Sequence, residues 1–153
     1  MLWMLCAVIV VTVTIIMIRT YSELITIPTF EERFEYLKLN GQVGTDTFGY
    51  DRYLNQRFYT SKEWRSIRDY VIVRDNGNDL GIDGLEIDAH ITIHHMNPIT
   101  ADDLTSRRDY CLDPEFLICV SDLTHKAIHY GDYGLLIQKP VERFKNDTIP
   151  WRR

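Results

Sequence analysis

Four histidines form two close pairs, an arrangement that can bind a metal ion. His94 and His95 are adjacent in "ITIHHMNPIT", and His125 and His129 are four residues apart in "THKAIHYGD". A spacing of four places two side chains on one face of a helix, where both can bind the same ion. The remaining histidine, His90, is expected to be a surface or orienting residue.

Short strands must position the first pair. Alternating apolar and polar residues predict strands at 85–87 and 91–95, and the apolar run "FLICVS" at 116–121 predicts a buried strand. The segment from 97 to 115 is expected to be a long loop. Neighbouring strand residues point to opposite faces of a sheet, so the two adjacent histidines would serve different partners.

A short helix is predicted after the last of these strands. Ser121 or Asp122 can cap its first turn, and Gly131 can end it. This helix carries the second histidine pair. Residues 85–131 are therefore predicted to form strand, strand, long loop, strand and helix, with the histidines at the ends of these elements.

Two helices are predicted earlier in the chain. Each begins with a capping box, in which a Thr is followed by a Glu three residues later, and each ends at an Asn-Gly pair. Residues 41–59, between the two helices, are rich in Gly and Tyr and are expected to be an ordered loop. The boxes are Thr29–Glu32 and Thr60–Glu63, and the Asn-Gly pairs are Asn40-Gly41 and Asn76-Gly77.

Composition limits the class of protein. The chain has 153 residues, enough for one domain, and its 45% hydrophobic and 25% charged residues are typical of a globular protein. The net charge of -5 argues against a protein that coats polyanions along their length. The three cysteines form no C-x-x-C motif, so any metal ion is expected to have nitrogen or oxygen ligands.

The N-terminal segment, residues 1–18, is apolar and without charge over Leu2–Ile18. Its length is at the lower limit for spanning a bilayer. Three interpretations remain open: a single membrane anchor, a buried β-rich segment, or an untranslated extension with Met17 as the true start. The first predicts a membrane-anchored protein and the other two a cytoplasmic one.

The acidic stretch "DNGNDLGIDGLE" has the spacing of an EF-hand calcium loop. Leu80 stands where that loop requires glycine, and no helix follows. A Gly/Asp turn leading into a strand is therefore the preferred interpretation. The acidic residues concerned are Asp75, Asp79, Asp83 and Glu86.

The histidine-bearing segments resemble a known family. "IHHMNP", a long loop and "DPEFLICVSDLTHKAIHYGD" resemble the HNH endonucleases, most closely the three-histidine pattern of colicin nuclease domains. Over about residues 19–138 the chain resembles phage and prophage HNH-type proteins. The resemblance implies an α+β fold with a small ββα-metal core at 85–138, a preceding helical region at 19–84 and a tail at 139–153.

The resemblance also implies a role for each histidine. His94, His125 and His129 would bind one divalent metal ion (Mg, Mn, Ni or Zn). His95 would be the general base that activates water to hydrolyse a DNA phosphodiester bond, leaving a 5′-phosphate and a 3′-hydroxyl. Histidine suits this role because its ordinary pKa of about 6.5 is close to neutral pH.

One residue departs from the family pattern. Phe116 stands at the position of the family's central Asn, whose side chain braces the loop that bears the base. Asn97 is the nearby amide that can support the site instead. The alternative function is a catalytically inactive metal-binding module of phage assembly or packaging, with the same histidines joining strand to helix.

Contacts to DNA would require cations near the histidines. Arg107 and Arg108 lie in the long loop and Lys126 lies on the histidine helix, so these three are the predicted phosphate contacts. The net charge of -5 predicts weak and salt-dependent binding. Delivery of the DNA by a partner, such as a phage packaging protein, is therefore an open alternative.

Overall fold

The computed structural model describes residues 17–39, 52–82 and 85–136. This part of the chain forms a mixed α+β fold with seven α-helices and two small antiparallel sheets, which confirms the predicted α+β class. The elements in chain order are α1 (Tyr21–Leu24), α2 (Phe30–Leu37), α3 (Arg52–Tyr59), α4 (Lys62–Arg74), β1 (Asn78–Asp79), β2 (Leu85–Glu86), β3 (Thr92–His95), α5 (Ala101–Ser106), α6 (Arg108–Cys111), β4 (Leu117–Val120) and α7 (Asp122–Tyr130). Single 3-10 turns lie at Pro114–Phe116 and Tyr133–Leu135.

The β3–β4 pair is the central layer of the fold. The strands are antiparallel, with His94 opposite Ile118 and His95 opposite Leu117. Directly opposite residues share a face of the sheet, so the two adjacent histidines lie on different faces. This register decides which helices each histidine can contact.

Two hydrophobic clusters cover the two faces of this sheet. Ile118 packs in one cluster and Leu117 in the other, which explains why β4 is buried along its whole length. The first cluster contains Leu24, Leu37, Leu39, Met96, Ile118, Val120 and Ile128. The second contains Phe58, Trp64, Val71, Leu104, Cys111, Leu117 and Cys119.

The helix starts follow the capping residues, with one correction. Thr29 caps α2 as predicted, because its side chain accepts from the backbone N–H of Glu32. The prediction that Thr60 caps α4 was wrong, because Ser61 accepts from Trp64 N–H instead. The hydroxyl of Thr60 donates to the carbonyl of Gln56 (2.8 Å) at the end of the preceding helix. Thr60 therefore belongs to the end of α3 rather than to the start of α4.

The helix stops also follow the sequence in part. Asn76 and Gly77 adopt positive φ angles of 54° and 67° just after α4, as expected of an Asn-Gly stop. Helix α2, the first of the two predicted helices, ends at Leu37, before the predicted stop at Asn40-Gly41, which lies outside the described residues.

Two predicted loops contain helices. Of the loop predicted at 41–59, the described part from residue 52 is α3. The loop predicted at 97–115 contains α5 and α6, and α5 begins with a complete capping box of Thr100 and Asp103. These helices are short, and packing of Phe58, Leu104 and Cys111 into one cluster stabilises them.

The acidic stretch after α4 ties the chain to β4. Asp75 accepts a hydrogen bond from Cys119 N–H (2.8 Å), and Asp79 accepts from Gly81 N–H and Ser121 N–H (2.9 Å each). Both carboxylates are buried. They satisfy the backbone N–H groups of Cys119 in β4, of Ser121 just after β4 and of Gly81 just after β1. Strand β1 pairs with β2.

Several predictions lie outside the described residues. These are the apolar segment up to residue 16, Asp83 of the acidic stretch and the tail at 139–153. Within the described ranges, no helix is both long and apolar enough to cross a membrane.

Candidate metal centre

Three histidines from two elements meet beside the central sheet. His94 comes from the β3 face that it shares with Ile118, and His125 and His129 come from one face of α7. One nitrogen from each imidazole lies within 4.8 Å of the others. In the part of the chain that the structure describes, this is the single group of histidine, cysteine or acidic side chains with that geometry.

The start and end of α7 fix the direction of its two histidines. Ser121 caps the helix by accepting from Thr124 N–H, and Gly131 ends it with a φ of 64°. Thr124 and Ile128 are buried against the fold. Because His125 and His129 each follow one of these buried residues on the helix, they are directed to the edge of the buried face, towards His94.

The distances between the rings suit ligands of one ion. His125 Nε2 and His129 Nε2 are 3.0 Å apart. Two imidazole nitrogens, each about 2.0–2.1 Å from a shared metal ion, are about 3.3–3.4 Å apart at a tetrahedral angle and about 2.8–3.0 Å apart at a right angle, so the observed separation is compatible with one ion. The His94 ring stands edge-on to both partners, with ring centroids 5.2 Å from His125 and 5.1 Å from His129.

Two ring nitrogens of this group are buried without a hydrogen-bond partner among the described residues. They are His94 Nε2 and His129 Nδ1. A buried polar atom left unpaired costs about 1–3 kcal/mol. Coordination of an ion would give His94 Nε2 a partner, so the residues present fit a metal ion.

Burial keeps the three imidazoles neutral. It lowers the pKa of His94 well below the usual value, and the neighbouring His125 and His129 lower it further. Burial lowers the pKa of His125 to about 4 and also lowers the pKa of His129. A neutral imidazole has the free lone pair that a metal ligand needs, so all three can bind an ion at neutral pH.

The ligand set is made of nitrogen alone. Imidazole is a good ligand for zinc, nickel and copper, whereas magnesium prefers oxygen. The three histidines therefore favour a transition metal over magnesium among the four ions predicted from the sequence.

His95 lies on the opposite face of β3, among aromatic side chains. Its ring stacks on Trp64 at a centroid distance of 5.4 Å and an interplanar angle of 15°. Its Nε2 lies 3.0 Å from the carbonyl oxygen of Cys111. A carbonyl has no hydrogen to donate, so Nε2 must carry the proton, and Nδ1 of the neutral ring keeps the lone pair.

Burial also lowers the pKa of His95 to about 4, against a smaller upward effect of the hydrogen bond to Cys111. The ring is therefore neutral at neutral pH, the state that a proton acceptor needs.

Phe116, expected from the resemblance to stand in place of an Asn, makes an aromatic contact. The Phe116 ring packs on Tyr110 at 4.6 Å, and its carbonyl accepts a hydrogen bond from Met96 N–H (3.0 Å). Tyr110 precedes Cys111, whose carbonyl holds His95. Apolar packing thus connects Phe116 to the segment that contacts His95, without a side-chain hydrogen bond from Phe116.

Asn97 binds the N-terminal part of the chain. Its side chain accepts from the backbone N–H of Arg19 (2.8 Å) and donates to the carbonyl of the same residue (2.9 Å). Burial raises the pKa of Tyr110, and Arg107 and, to a smaller extent, Asn97 lower it. Asn97 therefore links the end of β3 to Arg19 and lies near the segment beside His95.

The predicted DNA contacts lie on two sides of the sheet. Arg107 pairs with Asp103 (3.4 Å), and Arg108 pairs with Glu63 (3.3 Å). Arg107 is the N-cap of α6 and Arg108 is its first residue, on the side of the sheet that carries His95. Lys126 is exposed on α7, on the side of the metal centre.

Three contributors to the site were not predicted as such. The sequence alone assigned none of Trp64, Cys111 and Arg19 to the site. Trp64 and Cys111 contact His95, and Arg19 contacts Asn97. These contacts join residues far apart in the chain, so no local sequence pattern indicates them. His90 is 77% exposed and 3.8 Å from Asp122, as expected of a surface residue.

Comparison with known proteins gives no relative for this fold and site. The chain matches no protein-family model, no curated protein and no solved structure.

Proposed function

We propose that this protein is a metal-dependent endonuclease of the HNH type that hydrolyses DNA phosphodiester bonds. One observation carries the proposal: a three-histidine centre joins a strand to a helix, and the next strand residue is a neutral histidine with a fixed tautomer. His94 and His95 supply the strand part of this arrangement. A structural metal centre would not require a neutral histidine beside it, and a structural histidine would not require a metal centre. Their combination is what supports a nuclease.

The ligand histidines and the base have separate tasks. His94, His125 and His129 would hold one divalent ion, which when bound supplies positive charge against the phosphate oxygens. His95 Nδ1 would take a proton from water as the water oxygen bonds to phosphorus. The bond from phosphorus to the 3′-oxygen then breaks, giving a 5′-phosphate and, once protonated, a 3′-hydroxyl.

The cations near the site would contact the DNA backbone. Arg107 and Arg108 are 61% and 41% exposed, and each already pairs with an acidic side chain. Phosphate would compete with those carboxylates, so binding would be weak and would fall steeply with salt. Lys126 would approach the same backbone from α7.

Plasmid nicking by the full-length chain tests this function. Supercoiled DNA is incubated with protein stripped of metal and then given Mg²⁺, Mn²⁺, Ni²⁺ or Zn²⁺ singly. We expect nicking that requires metal and is lost in His95→Ala, while the metal affinity of that variant is unchanged. A His90→Ala variant is the matched control, because His90 is exposed and outside the metal group. Equal nicking by wild type and His95→Ala would refute the assigned base.

A second function is favoured by the packing of His95. The His95 ring lies between Trp64 and the Cys111 carbonyl, which also suits a purely structural residue. In this case the histidines would be a metal-bound module of phage assembly, with Phe116 in place of a catalytic Asn. Folded, metal-loaded protein that never nicks DNA would support the module.

A further inference from the structure

The surroundings of His95 restrain its ring in two ways. The Cys111 carbonyl, at the end of α6, accepts a hydrogen bond from Nε2 over 3.0 Å. The indole of Trp64, on α4, lies nearly parallel to the imidazole, at 15° and 5.4 Å. The two restraints come from different helices and use different interactions, although Trp64 and Cys111 pack in the same hydrophobic cluster.

Each restraint excludes a different motion. Rotation of the imidazole by a half-turn about its Cβ–Cγ bond would keep the stacked plane but carry Nε2 away from the carbonyl. Tilting the ring could keep the hydrogen bond to Cys111, because one hydrogen bond fixes the position of Nε2 but not the plane of the ring. The tilted ring would lose its stacking on Trp64. Together the carbonyl and the indole define both the plane of the ring and the nitrogen that carries the proton.

Trp64 is itself firmly held. Its side chain is 5% exposed, and its ring contacts Phe58 at 5.3 Å and Tyr59 at 5.0 Å. Phe58 and Tyr59 also lie near His95, both at 6.4 Å, but at angles of 46° and 68°. Of these three aromatic rings, Trp64 alone presents a parallel face to the imidazole.

We infer that Trp64 is a positioning residue that, with the Cys111 carbonyl, holds His95 in one orientation with Nδ1 free to accept a proton. The catalytic consequence rests on the proposed function, whereas the orientation does not. Other buried residues of the same cluster stabilise the fold without belonging to the aromatic group around His95, so the two roles can be separated by mutation.

The orientation is measured by NMR of the full-length chain with ¹⁵N-labelled histidine in the presence of a chelator. The His95 signals are assigned by their loss in His95→Gln. We expect wild type to show a single form protonated at Nε2. In Trp64→Leu the two ring-nitrogen shifts should move towards each other, because a ring without the stacked face keeps the Cys111 hydrogen bond for only part of the time and the second tautomer becomes populated. Trp64→Phe, which keeps an aromatic face, should retain the wild-type pattern.

Val71→Ala is the matched control, because Val71 is buried (0% exposed) in the same cluster and lies seven residues, about 10 Å, beyond Trp64 along α4. It removes buried volume without removing the stacked face, so its His95 signals should stay as in wild type. Wild-type His95 protonated at Nδ1, or equal changes in Val71→Ala and Trp64→Leu, would overturn the inference.

Kinetics of nicking test the catalytic consequence. We expect Trp64→Leu to lower kcat about 10–100-fold, as loss of an orienting group typically does, with KM and metal affinity unchanged. Trp64→Phe should restore most of the rate. Unchanged kcat in Trp64→Leu would reject the positioning role while leaving the nuclease intact. If wild type never nicks DNA, the proposed function fails, and the NMR result alone decides whether Trp64 orients His95.

Discussion

Adding metal should reverse the order of stability of wild type and a variant in which leucine replaces His94. Without metal, His94 is buried to 2% exposure and its Nε2 has no partner among the described residues. That unpaired nitrogen costs about 1–3 kcal/mol. Leucine has a similar volume, and the strain of such a swap in a core is below about 1.5 kcal/mol. His94→Leu should therefore be between equal to wild type and about 2 kcal/mol more stable in a chelator.

Metal should stabilise wild type and leave the variant unchanged. At a free metal concentration of 100 times Kd, binding to the folded state adds about 2.7 kcal/mol. For a chain of 153 residues this corresponds to a rise in Tm of about 5–10 °C. His94→Leu keeps two ligands and should show a rise of at most a few degrees.

Thermal unfolding followed by circular dichroism provides the measurement, with EDTA and then with each of the four metals. His90→Leu is the matched control, since the same chemical change falls on a side chain that is 77% exposed. It should respond to metal as wild type does. Two results together would refute the metal centre. The Tm of wild type would not change with any metal, and His94→Leu would be several kcal/mol less stable than wild type in EDTA.

Three further changes have calculable outcomes. Gly81→Ala should lower the free energy of unfolding by about 1–3 kcal/mol and weaken metal binding, because the new Cβ would lie 2.5 Å from Thr124 Cγ2 on α7. Adding Thr124→Ser removes that methyl group and should restore both stability in urea and metal binding. Lowering the pH from 7 to 4 should destabilise metal-free protein by about 3 kcal/mol through His95, because burial lowers its pKa from 6.5 to about 4. Between these pH values the unfolded state binds more protons than the folded state, so the folded state loses stability as the pH falls. Urea unfolding measures this loss, which should be absent in His95→Phe. Arg107→Gln and Arg108→Gln should each change stability by less than about 1 kcal/mol, because their ion pairs are exposed. In a salt titration of DNA binding, each should reduce the salt dependence by about one phosphate contact.

The sequence by itself determined the elements that carry the candidate site. Thr29, Ser121 and Gly131 act on neighbours within four residues, and such contacts can be recognised from spacing alone. The four-residue spacing of His125 and His129 likewise placed both on one helix face. The alternation along β3 predicted that its adjacent histidines point in opposite directions. All of these depend on local geometry, which a short stretch of sequence fixes.

Local pattern was insufficient where packing stabilises an element. Residues 97–115 were expected to be a loop, although Thr100 and Asp103 form a capping box that could have indicated α5. Short helices such as α5 and α6 are marginal alone and depend on burial of residues such as Leu104 in a cluster shared with distant parts of the chain.

Only the tertiary structure decided which partners each histidine of the adjacent pair meets. Both faces of β4 are buried, so its apolar run does not distinguish the face of α7 from the face of α4 and α6. The register of β3 against β4 makes that choice, turning His94 to the metal centre and His95 to Trp64 and Cys111. Strand register and helix docking arise from contacts between residues far apart in the chain. For that reason the sequence supplies the candidate ligands and the proposed base, and the fold brings the three candidate ligands together.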